Sequence, residues 1–513
     1  MSGLSYEPLT PTSFLERSAA VFGPRVAVVD GDLTLTYADL WERVRRLAGA
    51  LAEQGVRPGD KVALLAANGH LLLEATFGVP AAGAVMVPMN VRLSAAELAY
   101  ILGHAEASVL LHDDEFAGLA RAAAADSGRK VRLIAAAEYE TLVAAADPQL
   151  VPVADELAPL SINYTSGTTG RPKGVVYHHR GAYLQAMAMA LHTRLDVTSG
   201  YLWTLPMFHC HGWCFPWAVT LAGARHVCLP KVDPGESWRL IREHRVTHLC
   251  GAPTVLTSLL AHADAPAAAL SPRLLACVGG APPSPALLGR AMRAGIDVLH
   301  LYGLTETYGP AVVNQPQPGW SGLGVEELAA LAARQGVGNV VAQRVRVVGE
   351  DGRDVPADAA TVGEIALRGN DVMLGYHRDP EATALAAPDG WFRTGDLGVL
   401  HPDGYVQLVD RAKDVIISGG ENIASVEVEN VLVGHPAVRE AAVVARPDAH
   451  WGEVPVAYVS LAGAADVTES ELIAYVRDRL AHFKAPKAVI FGELPKTSTG
   501  KVQKNVLRGR AGR

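Results

Sequence analysis

The run Tyr164-Thr165-Ser166-Gly167-Thr168-Thr169-Gly170-Arg171-Pro172-Lys173-Gly174 follows the apolar Leu160 to Ile162 and gathers hydroxyls, glycines and two cations in one loop. Glycines let backbone N–H groups come close to phosphate oxygens, Ser166, Thr168 and Thr169 add donors, and Lys173 adds positive charge. The chemistry this composition suits is the binding of a triphosphate. It is not the common P-loop, because no Gly-Lys-Ser/Thr triplet closes it and a proline precedes the lysine.

Five further strings follow in order: Gly279-Gly280-Ala281-Pro282, Tyr302-Gly303-Leu304-Thr305-Glu306-Thr307, Trp391-Phe392-Arg393-Thr394-Gly395-Asp396, Asp410-Arg411-Ala412-Lys413-Asp414 and Pro495-Lys496-Thr497-Ser498-Thr499-Gly500-Lys501. At Tyr302 to Glu306 a strand leads into a polar turn, where an aromatic face, a hydroxyl and a carboxylate converge at a sheet edge. Asp396 reads as part of a Thr-Gly-Asp turn, and a carboxylate has the acceptor geometry for a vicinal diol. Lys501 stands twelve residues before the end, where a lysine would ordinarily be a tail cation.

The loop from Thr165 to Gly174, with these strings in this order, resembles the adenylate-forming superfamily of acyl-CoA synthetases, luciferases and peptide-synthetase adenylation domains. The resemblance covers nearly the whole chain. It implies that Tyr302 packs against adenine, that Thr305 contacts the α-phosphate and that Glu306 helps to hold Mg²⁺. A single carboxylate suits magnesium, which keeps waters and phosphate oxygens as ligands. Asp396 and Arg411 would meet the ribose, and Gly279, Gly280, Ala281 and Gly303 would let the backbone pass close to adenine and the acyl chain. Lys501 would be the adenylation lysine, a point charge that neutralises one anion attacking another. Lys413 occupies the hinge position, about which the small domain would rotate between adenylation and thioester formation. The face then presented would carry Gly419 and Gly420, lining a channel for the pantetheine arm of coenzyme A.

The aromatic run Pro206 to Trp217 is expected on the acid-binding side. A lone histidine in such a run is ordinarily a satisfied core residue, but Phe208-His209 matches the position that closes the acyl pocket in the family. Trp213 and Cys214 would line that pocket, in the manner of medium-chain and plant-type acyl-activating enzymes. Two departures stand out: His211, where those relatives usually carry asparagine, and His178, where threonine is common.

These residues need elements to hold them. From Leu35 onward helical and strand patterns alternate: a helix over Tyr37 to Gly55, a strand over Lys61 to Ala67, and brief apolar runs at Ala107 to Leu111, Arg225 to Leu229, Val246 to Cys250, Leu274 to Val278 and Asp297 to Leu301. Such alternation means an α/β fold. Near residue 410 the character changes, giving a large N-terminal domain of layered sheets and helices over 1–410 and a small C-terminal α+β domain over 411–513; the resemblance implies that the small domain is mobile and that the active site lies between the two. In the latter, Val443 to Ala445 and Val454 to Leu461 read as strands, Glu469 to Arg479 as a helix, and everything from Lys496 as a polar terminal segment.

With 45 Lys+Arg against 53 Asp+Glu and no basic block, nucleic acid is excluded as a partner. The longest uncharged run, Ala75 to Val91, is broken by Pro80, Pro88 and Asn90. It reads as a buried helix entering a strand, so no stable membrane insertion is expected. Five cysteines without CxxC spacing and a start lacking a signal-peptide pattern give a cytoplasmic expectation; a homodimer is allowed. Apolar walls favour a hydrophobic monocarboxylic acid, medium-chain, branched or aryl. The resemblance thus implies an acyl-CoA synthetase of fatty-acid metabolism that uses ATP, Mg²⁺ and coenzyme A. An adenylating ligase passing its acyl group to an amine or a free-standing carrier protein is the alternative, and retention of Lys173, Glu306, Asp396 and Lys501 argues against a non-catalytic relative.

Overall fold

The computed structural model describes residues 7–165, 171–266, 270–448, 450–463, 465–497 and 500–511. Two large mixed sheets organise the front of the chain. One runs, edge to edge, Val337–Gly338, Gly309–Val313, Asp297–Leu304, Leu275–Gly279, His248–Gly251, Gly200–Leu202, Arg225–Val227, Val26–Asp30 and Leu33–Thr36, parallel at its centre and antiparallel at both ends. The other runs Gly375–Tyr376, Gly174–His178, Pro159–Tyr164, Val85–Pro88, Lys61–Leu65, Ala107–His112 and Arg132–Ala135, with four parallel pairings and, at the Gly375–Tyr376 end, two antiparallel ones. One buried cluster takes Ala27, Val28 and Tyr201 from the first sheet and Val62, Leu64 and Met86 from the second, together with helices Tyr37–Glu53, His70–Ala81, His179–Thr193 and Phe215–Leu221. Central parallel strands covered on both faces read as unbroken apolar runs, which is why they were visible in the sequence.

Local chemistry sets the helix starts. Thr36 and Asp39 form a reciprocal capping box, 3.1 Å and 2.9 Å, ahead of Tyr37–Glu53. Helix His70–Ala81 and strand Val85–Pro88 account for the uncharged run. This helix has no polar face: its Glu74 is fully buried, where it meets Arg43 at 2.7 Å and accepts from the Tyr139 hydroxyl.

An antiparallel sheet of Arg346–Val348, Gly363–Leu367, Phe392–Leu400 and Val406–Arg411 ends the large N-terminal domain's sheets. Beyond it lies the smaller C-terminal domain, whose sheet comprises Glu421–Ile423, Ile416–Ser418, Gly452–Leu461, Val438–Asp448 and Ala488–Phe491. Helices Ser425–Val433 and Glu469–Arg477 cover it, with a core that includes Ile416, Val428, Leu472 and Val489. The terminal segment is not merely polar: Lys504–Ala511 is a helix whose Leu507 is buried with Val444, Val456 and Tyr458. Among the described residues no helix is long and apolar enough to cross a membrane.

Candidate active site

Strands Pro159–Tyr164 and Gly174–His178 pair antiparallel with Tyr164 opposite Gly174, and the Thr165 N–H donates to the Lys173 carbonyl at 3.0 Å. The mouth of the loop expected to bind phosphate is therefore clamped as a hairpin. Ser166, Gly167, Thr168, Thr169 and Gly170 lie outside the described residues. Lys173 Nζ stands 4.7 Å from the ring centroid of Tyr376, whose hydroxyl donates to Glu306 Oε1 at 2.8 Å. Tyr376 pairs with Val175, the second residue after Lys173, so the sheet edge fixes the ring between a cation and a carboxylate. Glu306 sits in the short helical turn Thr305–Thr307 that ends strand Asp297–Leu304, and its carbonyl accepts from the Met373 N–H at 2.8 Å. No group of three or more His, Cys, Asp or Glu among the described residues could cage a metal. A lone carboxylate beside a phosphate loop fits Mg²⁺ that is shared with phosphate oxygens and water.

Asp396 is not in an exposed turn, as its Thr-Gly-Asp string suggested. It lies within strand Phe392–Leu400, directly opposite Arg411, and is 3 % exposed. Tyr302 donates to its Oδ2 at 2.7 Å, and Arg411 Nε lies 3.2 Å from its Oδ1. Burial and the Asp396 charge push the Tyr302 hydroxyl's pKa far up, so it stays a donor. Each carboxylate oxygen keeps a further lone pair for a ligand.

Lys501 reaches this cluster from the C-terminal domain. A Cβ built on Gly280 would stand 3.4 Å from Lys501 Cε, and Gly280 has φ +83°, a conformation that glycine takes at no steric cost. Thr254 donates to the Gly500 carbonyl at 3.4 Å, and the Lys501 N–H donates to Thr497 Oγ1 at 3.1 Å. Loss of hydration and the nearby Arg411 guanidinium lower the pKa of the Lys501 ammonium, while Cys210, Asp396 and Glu306 oppose this. Gly279 ends strand Leu275–Gly279 just before this point, with Ala281 after it, and Gly303 falls near the end of Asp297–Leu304.

The run expected on the acid-binding side forms a left-handed turn: Cys210, His211, Gly212, Trp213 and Cys214 have φ of 44°, 39°, 56°, 55° and 63°. Four non-glycine residues held there store strain of about 1 kcal/mol or more each, which the surrounding packing must offset. Asn68 bolts the approach, donating to the Trp203 and Leu205 carbonyls at 2.8 and 2.9 Å and accepting from the Met207 N–H at 2.7 Å. Cys210 Sγ lies 3.3 Å from Thr305 Oγ1 and 3.7 Å from His209 Nε2. Burial, then the Lys501 charge, push the His209 pKa down to about 3. Trp213 packs on bare glycine backbone: Cβ atoms on Gly279 and Gly309 would each lie 2.9 Å from its ring. Cys214 Sγ approaches the Tyr308 carbonyl at 3.8 Å. His178, the second departure, has a structural role, since its Nδ1 accepts from the Gly181 N–H at 2.8 Å and caps helix His179–Thr193.

Lys173, Glu306, Thr305, Tyr302, Asp396, Arg411, Gly280, His209 and Lys501 thus form one connected neighbourhood. The Gly419-Gly420 tip is placed apart, on the exposed surface, whereas the exposed Lys413 stands close enough to Arg411 and Asp396 to feel their charges. Lys413 follows the last strand of the N-terminal sheets, and its carbonyl accepts from Arg508 at 3.4 Å. Gly419 and Gly420 form the tip between Ile416–Ser418 and Glu421–Ile423; a Cβ on Gly419 would strike Trp451 at 2.7 Å. Sequence reasoning missed Tyr376, which carries no charge to flag it, and Cys210, one of five cysteines whose spacing singles out none of them.

Residues 15–377 match the AMP-binding enzyme family and residues 427–501 the AMP-binding enzyme C-terminal domain. The acetate/butyrate–CoA ligase AAE7, peroxisomal, of Arabidopsis thaliana is 43% identical over 99% of this chain and 95% of its own length. A 4-hydroxybutyrate–CoA ligase of Metallosphaera sedula is 42% identical, covering 99% and 96%. Among solved structures, the anthranilate CoA ligase AuaEII in complex with anthranoyl-AMP superposes with a TM-score of 0.89 at 26% identity, covering 99% and 98% of the two chains. The chain belongs to the AMP-binding enzyme family.

Proposed function

We propose that this protein is an acyl-CoA synthetase: it joins a monocarboxylic acid to ATP, giving an acyl adenylate and pyrophosphate, and then moves the acyl group to coenzyme A with release of AMP. The observation that carries the reading is the meeting of Lys501, from the C-terminal domain, with Gly280, Cys210 and the Asp396–Arg411 pair of the N-terminal domain. A cation delivered there can offset the charge that builds as a carboxylate attacks the α-phosphate. Thr305 would donate to that phosphate, Asp396 would accept from the ribose hydroxyls, Tyr302 would support adenine, and Lys173 would hold the outer phosphates. Glu306 would be the protein ligand of Mg²⁺, which when bound neutralises phosphate charge. His209, neutral at ordinary pH, would close the acid side beside Trp213 and Cys214.

Coenzyme A is favoured over an amine or carrier protein because the relatives are named as CoA ligases, with acetate, butyrate, 4-hydroxybutyrate and 2-methylpropanoate as their acids. The division at 410/411, rotation about Lys413 and pantetheine passage beside Gly419 and Gly420 belong to this proposal. They are supported by the end of the N-terminal sheets at Arg411 and by the separate core of the C-terminal domain. A cytoplasmic location is proposed from five buried, unpaired cysteines, although the Arabidopsis relative is named as peroxisomal; cell fractionation decides between the two. The enzymatic test is acid-dependent pyrophosphate exchange over short, medium, branched and aryl acids, with mass spectrometry with and without coenzyme A. Exchange with at least one acid and an acyl-CoA product are expected. Exchange without a thioester would move the acceptor to an amine or carrier.

A further inference from the structure

We infer that His211 and Trp217 together read a hydroxyl group on the acid, so that the substrate is a short hydroxy-monocarboxylic acid rather than an unsubstituted one. The inference rests on the ligase reading above and specifies its substrate. Both side chains are fully buried, and their rings meet edge to face at 4.7 Å. His211 Nε2 lies 2.9 Å from Thr76 Oγ1, and Thr76 donates its own proton to the Leu72 carbonyl at 3.0 Å. With that proton committed, the Thr76 oxygen can only accept, which places the imidazole proton on Nε2. Burial holds the ring neutral, with a pKa pushed down to about 3. Nδ1 is then a bare acceptor, and among the described residues it has no partner. Beside it the Trp217 indole Nε1–H, a pure donor, is equally without one.

Buried polar groups are nearly always paired, so an orphan acceptor next to an orphan donor is a matched vacancy for one ligand group. A hydroxyl fills it, giving its proton to Nδ1 and taking one from Nε1–H. A methyl group fills neither need, and a carboxylate supplies no donor. The pair belongs to the acid-binding turn: His211 adjoins Cys210, which touches Thr305 near Lys501. His211 directly follows Cys210, and consecutive Cα atoms are about 3.8 Å apart, so a carboxylate at Lys501 and a hydroxyl at His211 call for an acid with a short carbon chain. Trp213, seated over Gly279 and Gly309, belongs to the same turn. The departure from asparagine at position 211 thereby acquires a purpose.

The test measures kcat/KM in acid-dependent pyrophosphate exchange for matched pairs, such as 4-hydroxybutyrate against pentanoate and 3-hydroxybutyrate against 3-methylbutyrate. A site built around a substrate hydroxyl rejects the analogue lacking it strongly, so the preferred hydroxy acid should exceed its methyl isostere by roughly 100-fold or more in the native enzyme. His211→Leu should bring that ratio to about one, mainly through KM for the hydroxy acid; His211→Asn, which keeps an acceptor, should restore part of it. Trp217→Phe, which removes only the donor, should lower it about tenfold and supplies the test if His211→Leu does not fold. A native ratio near or below one, or a ratio unchanged in His211→Asn and Trp217→Phe, would overturn the inference and assign the vacancy to a buried water. No exchange with any acid would instead overturn the ligase reading, and the inference with it.

Discussion

Asp396 engages Tyr302 through one oxygen and Arg411 through the other, so a ligand diol would meet a carboxylate already held in place by a donor and a cation. Removing the hydroxyl in Tyr302→Phe leaves the ring for stacking and frees one carboxylate oxygen to swing. We expect KM for ATP to rise about tenfold with little change in kcat, the effect of one hydrogen bond of about 1.5 kcal/mol to a charged group. Steady-state kinetics at saturating acid check this; an unchanged KM would remove Tyr302 as the support of Asp396. Residue types were legible in the chain because acid, lysine and glycine strings carry their chemistry on their face. The surroundings were not. Asp396 looked like a turn carboxylate and proved to be a buried strand residue, because strand pairing across to Arg411 is a contact that no local string encodes. Tyr376, between Lys173 and Glu306, was invisible for the same reason.

Among the elements, the parallel strands of both large sheets were readable from short apolar runs, with ends displaced by a few residues where turns rather than hydropathy decide. The terminal helix Lys504–Ala511 was not, since its sequence offers only Val506 and Leu507 as large apolar residues and its stability comes from docking on Val444, Val456 and Tyr458. Nor does any periodicity announce the left-handed turn at Cys210 to Cys214, whose strain must be balanced by packing. The segment after Arg411 is the element on which the proposed rotation depends. Proline at 413 would fix φ near −65° and disfavour helical geometry at Ala412. For Lys413→Pro we expect at least a tenfold loss in one half-reaction, adenylation or thioester formation, with the other changed much less. Equal rates of both half-reactions to the native ones would exclude Lys413 as the pivot.

The molecule as a whole buries more neutral imidazole than its sequence suggests. His211 and His226 are fully buried with pKa values pushed down to about 3, and His300 is 3 % exposed with a value of about 4, burial being the leading cause in all three. A lowered folded pKa means that the unfolded chain takes up protons first, so stability falls as pH drops below about 6.5. Between pH 7 and pH 5 each histidine withdraws roughly 2 kcal/mol, while buried Asp371, its pKa raised to about 7 by burial, returns a similar amount over the same range. The buried histidines, His178, His179 and His209 among them with values pushed down to about 3 or 4, outnumber the opposing groups, so we expect a net loss of stability, seen as a lower denaturant midpoint at pH 5 than at pH 7; an equal or higher midpoint would contradict this assignment. The central claim is that the C-terminal domain completes the adenylation site by delivering Lys501. It is tested most directly by following the two half-reactions of Lys501→Ala separately. The account predicts that acyl-AMP formation falls by at least about 100-fold, while thioester formation from preformed acyl-AMP stays within a few-fold of native. Equal loss in both half-reactions, or full adenylation without the lysine, would contradict it.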